Sequence, residues 1–240
     1  MLAMKNVLSE QDHVGTMVFD EVDTGVSGLM VFARTPGAAA ALSRQITQSQ
    51  NAYAVQDGRA EGEPEVPQFI KQYRAVIAGG PDEALPTEGT LRDWLFKDSR
   101  RGRVFPVSRP RKGVREAVLE YRILKTTGNT SLADITLHTG RTHQIRVHFS
   151  WLGHPLAGDS LYGGHTDIIA RHALHCAVLR FNRPADHEPR RVQSPLPEDF
   201  LAACCAAYLP DKEEIPELPS VSDQMKDAGT DLKAVSYTHL

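Results

Sequence analysis

Two β-prone runs, residues 117–124 and 131–137, are separated by a segment containing Gly128-Asn129, a dipeptide suited to a tight hairpin turn. A turn that short can only join antiparallel neighbours, because parallel strands need a long crossover. Similar short apolar runs occur at residues 28–33, at 70–77 ahead of Gly79-Gly80, and at 177–181 ahead of Pro184. Helix formers fill residues 38–49 after Pro36, a helical run begins at Gln144 and ends at Gly153-His154-Pro155, and Pro195-Leu196-Pro197 opens a final short helix through Tyr208. Residues 51–67 read as a loop. The expectation is an α+β domain with a mixed, mainly antiparallel sheet and a few helices.

With 41% hydrophobic residues, 240 residues can bury one substantial core. The net charge of −3 conceals two opposed segments. Residues 92–115 carry nine basic side chains against two acidic ones, and residues 210–240 carry seven acidic against three lysines. Gly102, Pro106, Pro110 and Gly113 prevent the basic segment from being one helix, so an extended arm or hairpin is expected. Arg100, Arg101 and Arg103 on it are candidate phosphate contacts. The acidic stretch, 209–240, is expected to be a disordered tail after a domain spanning 1–208. Three cysteines, two of them adjacent, suit neither a disulfide framework nor a thiolate zinc site, which points to a reducing cytoplasm. No apolar run approaches the roughly 20 residues that span a bilayer, and no membrane association is expected.

The chemistry concentrates in Gly140-Arg-Thr-His-Gln-Ile-Arg-Val-His148, followed by Gly153-His-Pro-Leu-Ala-Gly-Asp159 and Tyr162-Gly163. Arg141, Thr142, His143 and Gln144 supply donors of the kind that hold phosphate, ribose and base edges. From composition alone the run could equally be a polar loop ahead of an amphipathic helix. Upstream and downstream stand Asp23-Thr-Gly-Val-Ser-Gly-Leu29, Lys71-Gln-Tyr-Arg-Ala75 with Gly79, and Leu174-His-Cys-Ala177 with Leu179, Phe181 and Pro184.

In this order the four blocks, covering roughly residues 15–200, resemble the RluA-type pseudouridine synthases. The resemblance implies a pseudouridine synthase-like fold with a catalytic cleft, and isomerisation of uridine in rRNA or tRNA with no cofactor and no metal. It also implies Asp23 as the catalytic carboxylate, Tyr73 as the residue that stacks on the flipped base, and Arg146 as the partner of the carboxylate. A monomer is expected.

Two departures accompany the resemblance. Relatives usually carry His-Arg-Leu before the catalytic aspartate, where this chain has Asp20-Glu21-Val22. The family's early strand with its Lys-Pro-x-Gly turn is also not found before residue 15, so the domain is expected to be short at its amino end. A catalytically impaired RNA-binding homologue of the same fold is therefore an alternative. Asp23-Thr24-Gly25 also resembles the turn of aspartic proteases, but no second Asp-Ser/Thr-Gly supplies the carboxylate with which such enzymes share a proton. His138, His143, His148 and His154 recur at spacings of five and six, which do not present the i, i+4 pair of helical zinc sites.

Overall fold

The computed structural model describes residues 17–18, 23–56, 58, 69–207 and 232–237. Among these residues, ten strands and three helices follow in the order β1 (Met17–Val18), β2 (Ser27–Ala33), α1 (Pro36–Gln56), β3 (Ile70–Ala78), β4 (Glu88–Asp98), β5 (Arg103–Val107), β6 (Val114–Thr127), β7 (Thr130–Leu137), α2 (Gln144–Trp151), β8 (Leu174–Asn182), β9 (Pro189–Gln193), α3 (Glu198–Ala207) and β10 (Leu232–Tyr237). All strands belong to one sheet, ordered β1-β2-β8-β3-β7-β6-β4-β5, with β9 on β8 and β10 on β2. Only β2 and β8 pair in parallel among these strands, through Ser27–His175 and Gly28–Cys176. The expected α+β architecture is thus present.

Several strands form where β-prone residues run between glycine-bearing turns. Thr127 pairs with Thr130, so Gly128 and Asn129 alone make the β6–β7 hairpin, and Gly128 has φ 54°. Gly28 has φ +108°, and a Cβ there would collide with the backbone of Cys176, so this glycine lets β2 lie directly against β8. The basic segment folds as a β4–β5 hairpin in which Asp98 pairs with Arg103.

Strand alternation divides the core between the two sheet faces. Ala75, Ile77, Ala133 and Ile135 pack with Ile145 and Phe149 of α2, whereas Val76 and Leu132 pack with Phe200 and Ala203 of α3. Helices α2 and α3 therefore cover opposite faces of the central strands. Helix α1 packs on β2 and β8 through Ala38, Ala39 and Leu42 against Leu29, Val31 and Phe181.

Two expectations differ from the structure. Helix α1 runs on to Gln56, into the residues read as loop, because Ala52 and Tyr53 are buried and the Tyr53 ring stacks on His138 at 3.7 Å. Within the stretch 209–240, residues Leu232–Tyr237 form a strand against the edge of β2, and the remainder lies outside the described residues, as do Asp20 and Glu21. No helix among the described residues is long and apolar enough to cross a membrane.

Candidate active site

Helix α2 turns a guanidinium into the space beside β2. Arg146 is 5% exposed, and its Nη1 donates to both carboxylate oxygens of Asp23 at 2.8 and 2.7 Å. Its Nε and Nη2 donate to the two oxygens of Asp159, each at 2.7 Å. One cation thus joins two carboxylates, and Asp159 is 1% exposed. Burial works against the charged guanidinium, but the hydrogen bonds and fields of Asp159 and Asp23 outweigh it and hold the Arg146 pKa above its ordinary value. Because the guanidinium stands between them, Asp23 and Asp159 do not form a proton-sharing protease pair.

Asp23 lies just ahead of β2, in the turn closed by the Val26 amide donating to the Asp23 carbonyl. Its carboxylate is also flanked by imidazoles, with His143 Nε2 3.6 Å from Oδ1 and His172 Nε2 3.8 Å from Oδ2. His143 caps the start of α2 with φ 51° and ψ 21°, a left-handed conformation that costs a non-glycine residue about 1–3 kcal/mol. Its Nδ1 is 2.8 Å from the Tyr162 hydroxyl, whose oxygen also accepts the Val104 amide at 2.9 Å. The Tyr162 proton can therefore go to Nδ1, which leaves the His143 proton on Nε2, facing Asp23. Tyr162 further carries the Arg146 guanidinium 5.0 Å from its ring centroid, and burial raises its pKa.

The expected site residues separate into groups. Asp23, Arg146 and His143 meet directly. Tyr73 sits at the centre of the sheet, opposite Ile135 on β7 and Cys176 on β8, half-buried against both adjoining core clusters. Thr142 is half-buried in the turn before α2, and Arg141 there donates from Nε to the Glu116 carbonyl at 2.8 Å. Gln144 is turned inward: Oε1 accepts Thr139 Oγ1 and the Arg141 amide, Nε2 donates to the Val118 carbonyl, and the residue is 3% exposed. Arg103 reaches the Leu161 carbonyl and lies over the Tyr162 ring, whereas Arg100 and Arg101 stand exposed at the tip of the β4–β5 hairpin. The four histidines weighed as a metal set go to separate places: His138 to Tyr53, His143 to Asp23, His148 to Asp93 and His154 to Ala78 and Asp82.

Asp159 and Tyr162 belong to the chemistry-rich run of the sequence but carry no expected role there, and His172 lies outside it. The signal for the first was available in part, since an arginine buried on a helix must find counter-charges in the interior.

The family described as RNA pseudouridylate synthase matches residues 10–151. An uncharacterized RNA pseudouridine synthase of Chlorobaculum parvum is 33% identical over 193 residues, covering 72% of this chain and 52% of its own. Ribosomal large subunit pseudouridine synthase D of Xylella fastidiosa is 34% identical over 203 residues, covering 79% and 54%. The chain spans about half the length of these relatives. Among solved structures, human RNA pseudouridylate synthase domain containing 1 superimposes with a TM-score of 0.57 at 26% identity, over 75% of this chain and 69% of its own.

Proposed function

Because the chain belongs to the RNA pseudouridylate synthase family, we propose that it converts uridine in RNA to pseudouridine with Asp23 as its catalytic carboxylate. The observation that carries this reading is the Arg146 clamp, which holds Asp23 in a fixed orientation with both its oxygens engaged.

The reaction breaks the N1–C1′ bond, turns the uracil and forms C5–C1′, after which the C5 proton is lost and N1 holds one. Atoms are conserved, so the site needs a group that attacks C1′ or stabilises charge there, and an oriented carboxylate does either without activation. The arginine cation holds that carboxylate in place through charge-assisted hydrogen bonds to both its oxygens. A uridine must leave its stack to reach such a site, at a cost of a few kcal/mol, and stacking on Tyr73 offsets part of that.

We assign the catalytic unit to residues 1–208 and the RNA contacts to Arg141, Thr142 and His143 together with the basic β4–β5 hairpin bearing Arg100, Arg101 and Arg103. The Xylella fastidiosa relative is named for the ribosomal large subunit, and rRNA or tRNA is the substrate class proposed for this chain, acting as a monomer in the cytoplasm. Exposure of every basic side chain from Arg92 to Arg115 except Arg103 supports the phosphate-tracking role.

The test is tritium release from RNA labelled at uridine C5. Release by the parent and none by Asp23→Ala is expected. Release by both removes Asp23 from the mechanism, and release by neither, with RNA still bound, replaces catalysis with a binding role.

A further inference from the structure

His172 directly precedes Ala173 and β8, is 6% exposed, and has an Nε2 without a hydrogen-bond partner among the described residues. A buried ring nitrogen left unmet is rare enough to need a reason. The nearest carboxylate oxygen recorded is Asp23 Oδ2, at 3.8 Å, beyond hydrogen-bond length. The ring is seated by Gly25, two residues after Asp23, where a Cβ would stand 2.7 Å from the imidazole Cε1. The turn that carries Asp23 has thus been left bare to admit this imidazole.

The charged groups around the ring are Asp23, Arg146, Asp159 and Arg171. Burial pushes its pKa down to about 4, while Asp23 pulls it up and Arg146 pushes it down again. At neutral pH the ring is therefore uncharged and carries one N–H. Arg146 engages both oxygens of Asp23 through a single nitrogen, so an oxygen that turns toward a substrate sugar must loosen one of those bonds. Moving Oδ2 by roughly 1 Å toward the ring closes the gap to hydrogen-bond length.

We propose that His172 is a positioning residue for Asp23, whose Nε2–H takes hold of Oδ2 as the carboxylate turns from Arg146 toward the sugar. This rests on the reading of Asp23 as the reacting carboxylate. The imidazole transfers no proton in this role. It replaces one donor by another, so that the reactive carboxylate is never without a directional contact on that side.

Two measurements test it. In ¹⁵N long-range NMR spectra of the imidazole rings, His172 is expected as the Nε2–H tautomer, and an Nδ1–H tautomer overturns the proposal whatever the activity. In single-turnover tritium release at saturating protein, His172→Leu is expected to lower the rate about tenfold or more, a barrier change of about 1.4 kcal/mol, with RNA affinity held to within about twofold. His172→Gln, which puts an amide N–H at a similar reach, is expected to restore most of the rate. Equal rates for parent and His172→Leu, or equal losses in the Leu and Gln variants, overturn the positioning role in favour of mere packing. A parent that releases no tritium overturns the Asp23 reading beneath it, whereas an active parent with an indifferent Leu variant overturns this proposal alone.

Discussion

Arg146 and Asp159 face one another through two parallel N–H···O bonds of 2.7 Å, with side-chain exposures of 6% and 1%. This buried fork fixes the guanidinium so that its remaining nitrogen meets Asp23. Asp159 thereby governs the carboxylate it does not touch.

Asp159→Ala is accordingly expected to strip a buried cation of its principal partner, costing about 3–5 kcal/mol in urea unfolding. Tritium release by the folded fraction should fall as well, since Arg146 is then able to rotate. Unchanged release in a destabilised protein would confine Asp159 to a structural role.

Gln144→Ala removes three internal hydrogen bonds, to Thr139, the Arg141 amide and the Val118 carbonyl. A loss of about 2–3 kcal/mol in stability follows, with RNA affinity of the folded protein unchanged to within about twofold. A large affinity loss at full stability would instead mark Gln144 as a substrate contact.

His148 is 1% exposed, both its ring nitrogens lack hydrogen bonds among the described residues, and burial holds its pKa at about 4 against an ordinary 6.5. Between these values the unfolded chain binds the proton and the folded chain does not, so stability falls as pH drops from about 7 to 4 and this contribution levels off below. Urea unfolding across that window should show a shallower decline for His148→Leu than for the parent. Parallel curves would mean that the buried ring is not what titrates.

Arg100 and Arg101 are exposed at the hairpin tip, where Asp98 accepts both their backbone amides and fixes the turn. Replacing both by Ala should leave stability within about 0.5 kcal/mol. The slope of log affinity for single-stranded RNA against log salt should fall by about 1.4, or 0.7 per lost phosphate contact. An unchanged slope would show that these arginines stay in solvent when RNA binds.

Much of this arrangement is written locally. Gly128-Asn129 announces its hairpin, and the match of the Gly140–His148 run to known blocks brings Arg146 to Asp23 across 123 residues. Other parts are not local at all. Gln144 reads as a polar recognition residue because its donors are visible in the sequence while their partners, Thr139 and Val118, are set by the fold. Asp159 and Tyr162 stand in the same polar string as Arg146, yet only the fold of residues 152–165 back onto α2 gives the first a charge to hold and the second a cation to cover. His172 carries no local signal, since its meaning comes from the bare Gly25 across from it.

Strand β8, made of residues 174–182, lies between β2 and β3, which end at Ala33 and Ala78, far earlier in the chain. A nascent chain that has emerged through α2 already possesses Asp23, Tyr73 and Arg146 but lacks the strand that joins β2 to β3. Synthesis from the amino end therefore produces these three side chains well before it can produce the sheet that carries them. Until residue 182 has left the ribosome, the unfinished protein leaves the edges of β2 and β3 that β8 covers open to other chains.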